Sequence, residues 1–174
     1  MMPYHDRECL AMSSQKSSIP TGGNRPIALV FKKVLIAFDG SDHAMNAFIV
    51  AEELAKRYNA QLVVLTAVEL PFPYLVPRTP PADISAARKY AVDDAKSKVD
   101  SLVLQARSDG VDAKGEVLDK GGSPVKAILE YAEEQDVDLI VAGTRGLGGF
   151  PKMLVGSVSS GLLSHAHCGV LVVR

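Results

Sequence analysis

Two cysteines in 174 residues, Cys9 and Cys168, are too few for a disulfide framework, and a reducing, cytoplasmic setting is the reading that follows. No stretch approaches the roughly 20 apolar residues of a membrane span. His5, Asp6, Arg7 and Glu8 follow Met1 with no apolar run behind them, which predicts no secretory leader. Charge of one sign is missing too: 19 Lys and Arg stand against 20 Asp and Glu, a net −1. That removes the basic footprint expected of a nucleic-acid or anionic-membrane binder, and leaves small-ligand sites, which feel local charge, untouched. With 47% hydrophobic and 22% charged residues the composition is globular, and the length is that of one domain.

Residues 1–31 read as a disordered arm, rich in Ser, Gly and Pro ("MSSQKSSIPTGGNRP"), and the folded body is expected over 32–174. "KVLIAF" (33–38) is a continuous apolar run of strand length, stopped by "DGSD". Ala44, Ala47, Phe48, Ala51, Leu54, Ala55 and Tyr58 then recur at helical spacing, with Ser41 or Asp42 as N-cap. After the run "QLVVLTAV" (61–68), the segment 69–83 holds five of the ten prolines and reads as neither helix nor central strand. A long helix follows, with Ala87, Tyr90, Ala91, Ala95, Val99, Leu102 and Ala106 on its apolar face and a stop at Asp109–Gly110. "DAKGEVLD" (112–119) is a weaker, alternating strand suited to a place nearer an edge. Ser123 is placed as N-cap and Pro124 as first residue of the next helix. "DLIVA" (138–142), a short helix over 157–166 and "GVLVV" (169–173) complete five strands and four helices. Continuous apolar strands are covered on both faces, the pattern of a doubly wound parallel α/β sheet that binds ligands beyond its strands' carboxyl ends.

Two familiar nucleotide signatures are missing from "GTRGLGGFPKMLVGSVSS" (143–160). Gly143 and Gly148 have P-loop spacing, but Gly149 stands where the lysine belongs. Gly146 and Gly148 fit a dinucleotide fingerprint, but Pro151 replaces its third glycine. The pattern present is G-x2-G-x9-G-S: Gly143, Gly146, Gly156 and Ser157. Bare backbone after a buried strand, a helix opening at Gly156-Ser157-Val158-Ser159, and the cations Arg145 and Lys152 point to an anion such as a nucleotide phosphate.

Together, "KVLIAFDGSDHA", "LIVAGTRGLGG", "GSVSSGLLSHAHCGVLVVR" and that glycine spacing resemble the ATP-binding branch of the universal stress protein family over residues 32–174. The resemblance implies a single-domain five-stranded parallel sheet of order 3-2-1-4-5 with four helices on both faces, an adenine-nucleotide hydrolase-like fold. It implies ATP, with Mg2+, as ligand. By position, Ala37, Phe38 and Asp39 would meet adenine and ribose and Ala67 the base. Ala142, Gly143, Arg145 and Gly146 would meet ribose and phosphate, and Gly156, Ser157, Val158 and Ser159 the phosphates. The resemblance also implies homodimerisation through the last strand, which otherwise leaves an apolar sheet edge uncovered. Arg145 stands where some ATP-binding members carry His, and Gly169 replaces the Pro that often precedes the last strand.

Plainer readings stand beside these. The glycine loop also reads as a mobile connection before a capped helix, Asp39 as a turn residue, and Ser157 as an N-cap that needs no ligand. His165, His167 and Cys168 read as a helix-terminal histidine pair rather than a metal site. "KGGSP" (120–124) is explained by a helix start, and 69–83 as a lid, a partner surface or an uncommitted loop. No Ser/His/Asp arrangement and no base that positions a water is apparent, so any ATP hydrolysis is expected to be slow. The expected function is that of a nucleotide-responsive homodimeric stress factor. The alternatives are a nucleotide-free dimerisation and interaction module, and a true ATP-cleaving enzyme.

Overall fold

The computed structural model describes residues 31–69, 81–119, 121–146 and 155–174. Most of the N-terminal arm, residues 70–80 of the proline-rich segment, and 147–154 with Gly148, Gly149, Pro151 and Lys152 lie outside them. Among the described residues, strands and helices alternate: β1 (Lys33–Ala37), α1 (Asp42–Tyr58), β2 (Gln61–Ala67), α2 (Pro81–Ser108), β3 (Ala113–Leu118), α3 (Pro124–Glu134), β4 (Leu139–Gly143), α4 (Ser157–His165) and β5 (Gly169–Val173). All strand pairs are parallel, in the order β3-β2-β1-β4-β5.

The apolar runs explain that order physically. Val34, Leu35 and Ile36 of β1 have no exposed surface, as a strand covered on both faces requires. Successive residues face opposite layers. Val34, Ile36, Val64 and Val141 pack with α1 and α2, while Leu35, Val63, Leu65 and Ile140 pack with α3 and α4. The alternating "AKGEVL" takes one edge and the half-exposed β5 the other.

Local chemistry sets the helix starts, and α2 departs from the sequence reading in two respects. Ser41 is the α1 cap, its Oγ accepting the Ala44 N–H at 3.2 Å. Ser123 occupies the N-cap position of α3, but its hydroxyl makes no cap bond and Pro124 alone sets the start. Helix α2 begins at Pro81, inside the segment read as non-helical, because a proline at the first helical position lacks only an N–H that has no partner there anyway. On α2 itself, Ala95, Val99, Leu102 and Ala106 are buried as expected, and Val103 joins them. Tyr90 is 76% exposed and lies off the core stripe.

Candidate functional site

Beside β1, the order reverses between β2 and β4, so the loops that leave β1 and β4 open into one crevice. A cavity of about 620 Å³ lies there, and all twelve sequence-predicted residues line it.

On the β1 side, Ala37 is paired with both Leu65 and Ala142, the last rung before the strand turns away. Phe38 is buried; its N–H donates to the Leu65 carbonyl, and its own carbonyl accepts the Thr66 hydroxyl, both at 2.8 Å. Asp39 accepts the Ser41 N–H on Oδ1 at 3.0 Å, as a turn residue before a helix does, and lines the cavity as well. Ala67 lies two residues past the last β1–β2 rung and is paired with Leu118 on β3. Strand alternation turns its N–H and C=O toward the side that β1 has vacated.

On the β4 side, the glycines serve packing as much as access. A Cβ at Gly143 would sit 2.7 Å from the His43 carbonyl carbon and 2.9 Å from the Ala44 nitrogen, inside the first turn of α1. One at Gly146 would overlap the Asp39 carboxylate, so the two loops approach as closely as glycine permits. Half-buried Arg145 holds the Ser41 hydroxyl on its carbonyl at 3.3 Å. The neck of the loop is pinned: the Gly156 N–H donates to the Thr144 carbonyl at 2.6 Å, and the Thr144 N–H to the Val173 carbonyl at 2.7 Å.

At the start of α4 the cap is Gly156, in extended conformation and with no side-chain bond. Ser157 is therefore the first helical residue and not the N-cap. The first-turn N–H groups have no carbonyl one turn earlier in the helix to bond, and they carry the positive end of the dipole. Ser159 is 4% exposed and donates its hydroxyl to the Gly143 carbonyl at 2.5 Å, stapling α4 onto the end of β4. Its proton is spent inside the protein, while Ser157 is exposed.

Sequence reasoning missed one wall of the cavity. Asp94 and Lys98 of α2 line it, as do Pro124 and Ile128 of α3 and the Thr66 side of β2. Ala91 and Ala95, read as core, also line it. Apart from Pro124, which closes "KGGSP", none of these sits in a motif; the packing of α2 over one face of the sheet and of α3 over the other brings the helical ones in. Elsewhere, His165 Nδ1 lies 2.9 Å from the Gly161 carbonyl, within its own helix. Among the described residues no group of three His, Cys, Asp or Glu side chains is placed to hold a metal ion, and no helix is long and apolar enough to cross a membrane.

Comparison with known proteins is concordant. The model of the universal stress protein family matches residues 31–174. A universal stress protein of Thermus aquaticus is 37% identical over 145 residues, spanning 83% of this chain and 100% of its own. The solved universal stress protein UspA of Lactobacillus plantarum is 29% identical with a TM-score of 0.71, over 83% of this chain and 98% of that one. A universal stress protein solved in complex with cAMP is 25% identical with a TM-score of 0.62, over 83% and 98% of the two chains.

Proposed function

This chain belongs to the universal stress protein family, and on that premise we propose that it binds an adenine nucleotide, ATP foremost, in the cleft between the β1 and β4 loops. The observation that carries the reading is the start of α4. A glycine cap leaves first-turn N–H groups open beside Arg145, and Gly143, Gly146 and Gly156 keep side chains out of the way. Apolar Ala37, Ala67, Ala142 and Ile128 suit a base, with the Ala67 backbone offering a donor and an acceptor to its edge. Ser157, rather than Ser159, supplies the hydroxyl for phosphate, because Ser159 already donates to Gly143. The similar protein solved with cAMP supports an adenine nucleotide without choosing among them. Mg2+ would enter on the phosphates, which leaves one or two carboxylates such as Asp39 to meet it or its waters.

The protein so proposed is a cytoplasmic homodimer whose output is occupancy of the site rather than turnover. Support for pairing comes from β5, an edge strand with Leu171 36% exposed, which a second copy across a two-fold would cover. The deciding measurement is thermal unfolding with and without millimolar Mg-ATP, together with analysis of nucleotide released on denaturation. Ligand at about 100 times its dissociation constant should stabilise by about 2.7 kcal/mol, a shift of several degrees. No shift with ATP, ADP, AMP or cAMP, and no released nucleotide, would leave the fold as an interaction module.

A further inference from the structure

The cleft has two sides, because the sheet it caps has two faces. Leu65, Ala142 and Ile128 belong to the α3–α4 layer, whereas Phe38 belongs to the α1–α2 layer. On that second side the wall is α2: Ala91, Asp94, Ala95 and Lys98, spaced i, i+3, i+4 and i+7 along one stripe of the helix. Lys98 Nζ lies 2.7 Å from Asp94 Oδ2, with the two side chains 53% and 46% exposed, so the ammonium is within reach of solvent and ligand alike. Its stem leans toward the β1–α1 turn: a Cβ built on Gly40 would lie 3.8 Å from Nζ and 3.9 Å from Cδ of Lys98.

Building on the nucleotide reading above, we propose that Lys98 is a ligand-binding residue of this cleft, the α2-borne cation for a phosphate group, with Asp94 as the counter-ion that the phosphate displaces. Three arguments carry it. Among the described residues the cavity is lined by three carboxylates, Asp39, Glu69 and Asp94, against two cations, Arg145 and Lys98. Lys98 and Arg145 are the lining cations that an anionic ligand can draw on here, and Lys98 is engaged by Asp94 until one arrives. An exposed pair one helical turn apart is weakly held, and a phosphate makes the stronger charge-assisted contact with an ammonium. Finally, a lysine on four rotatable carbons can follow a phosphate without the fixed geometry a guanidinium demands.

The test is a ladder of adenosine, AMP and Mg-ATP, titrated calorimetrically into the parent, Lys98→Gln and Asp94→Asn at low and physiological salt. Unchanged ligand-free unfolding midpoints would establish that both variants keep the fold. Lys98→Gln should leave adenosine binding as in the parent and weaken ATP about tenfold, with AMP between, and the loss should shrink as salt rises. Asp94→Asn should tighten ATP by about threefold, since it removes both the competitor and a repulsive charge. Parent-like ATP affinity in Lys98→Gln, or an equal loss for adenosine and ATP, would overturn the proposal and leave the nucleotide reading intact. A parent that binds none of the three ligands would take down both.

Discussion

Helices α1 and α4 both start at the same cleft, yet their first turns are built in opposite ways. At α1, Ser41 turns its hydroxyl back to the Ala44 N–H, and the end is closed by the chain's own atoms. At α4, the cap is a glycine without a side chain to offer, and Ser159 in the same first turn is buried and donates to the Gly143 carbonyl. The same chemistry is therefore spent on folding at one terminus and left open at the other. An unbonded cap is not enough to make a site, since Ser123 makes no cap bond either. The start of α4 differs in lying against Arg145 and in lining the cavity with Ser157, Val158 and Ser159 together, where the first turn of α3 contributes only Pro124.

Gly143 ties the two helices together, and changing it is the most damaging test of the contrast. Its missing side chain accommodates the first turn of α1, while its carbonyl receives Ser159 from α4. A methyl group there meets backbone, which cannot rotate aside. Gly143→Ala is expected to destabilise by about 3 kcal/mol, read by urea unfolding, and to weaken nucleotide binding through displacement of both helix starts. A variant as stable as the parent would mean that α1 is not packed against β4 as described.

The next pair of changes exchanges the two designs. Removing the closed cap with Ser41→Ala should cost about 1 kcal/mol of stability and alter nucleotide affinity far less than the converse change. Gly156 has φ −70 and ψ 163, a conformation open to any residue, with the nearest atoms to a new Cβ, Thr144 O and Arg145 Cα, at 3.4 and 3.5 Å. Gly156→Asp would give α4 a side-chain cap and a negative charge where phosphate is proposed. Ligand-free stability should change by less than about 1 kcal/mol while the thermal shift with Mg-ATP disappears. A shift that survives would place the phosphates elsewhere.

What the sequence disclosed follows the range over which each signal acts. Strands β1 and β4 were legible because burial on both faces demands continuous apolar runs, and Ser41 because a cap acts on N–H groups within one turn. The strand order was legible only through the family resemblance, as no run of residues states its neighbour. Tyr90 was misplaced, and the inward turn of the Ser159 hydroxyl went unread, for a shared reason. Helical spacing gives a face but not its width, and a hydroxyl in a first turn does not announce whether it looks outward or back toward β4. The α2 wall was invisible for a stronger reason: Asp94 and Lys98 are an ordinary surface pair until the packing of α2 on the sheet brings them to the cavity, with Lys98 toward Gly40.

The smallest expected effect separates the stability of α1 from the chemistry of α4. Glu52 sits two-thirds along α1 with 9% of its surface exposed, and its Oε1 is buried without a hydrogen-bond partner. Burial raises its pKa above 4.5, and the nearby charges of Asp109 and Glu53 push the same way, against a smaller opposing pull from Lys56. A raised carboxyl pKa means the folded state holds the proton more tightly than the unfolded one. The stabilisation is full below about pH 4.5, where both states are protonated, and is lost as pH rises through the folded value. Glu52→Gln keeps the shape and removes the titration. Its unfolding free energy, measured in urea from pH 4 to pH 8, should fall less with rising pH than the parent's, leaving the variant the more stable at pH 8. Nucleotide affinity should stay as in the parent, because Glu52 lines no part of the cleft. Parallel pH profiles would show that Glu52 is better solvated than its burial implies. A loss of binding in the variant would show that strain along α1 reaches the cleft, and the two helix starts would no longer be independent.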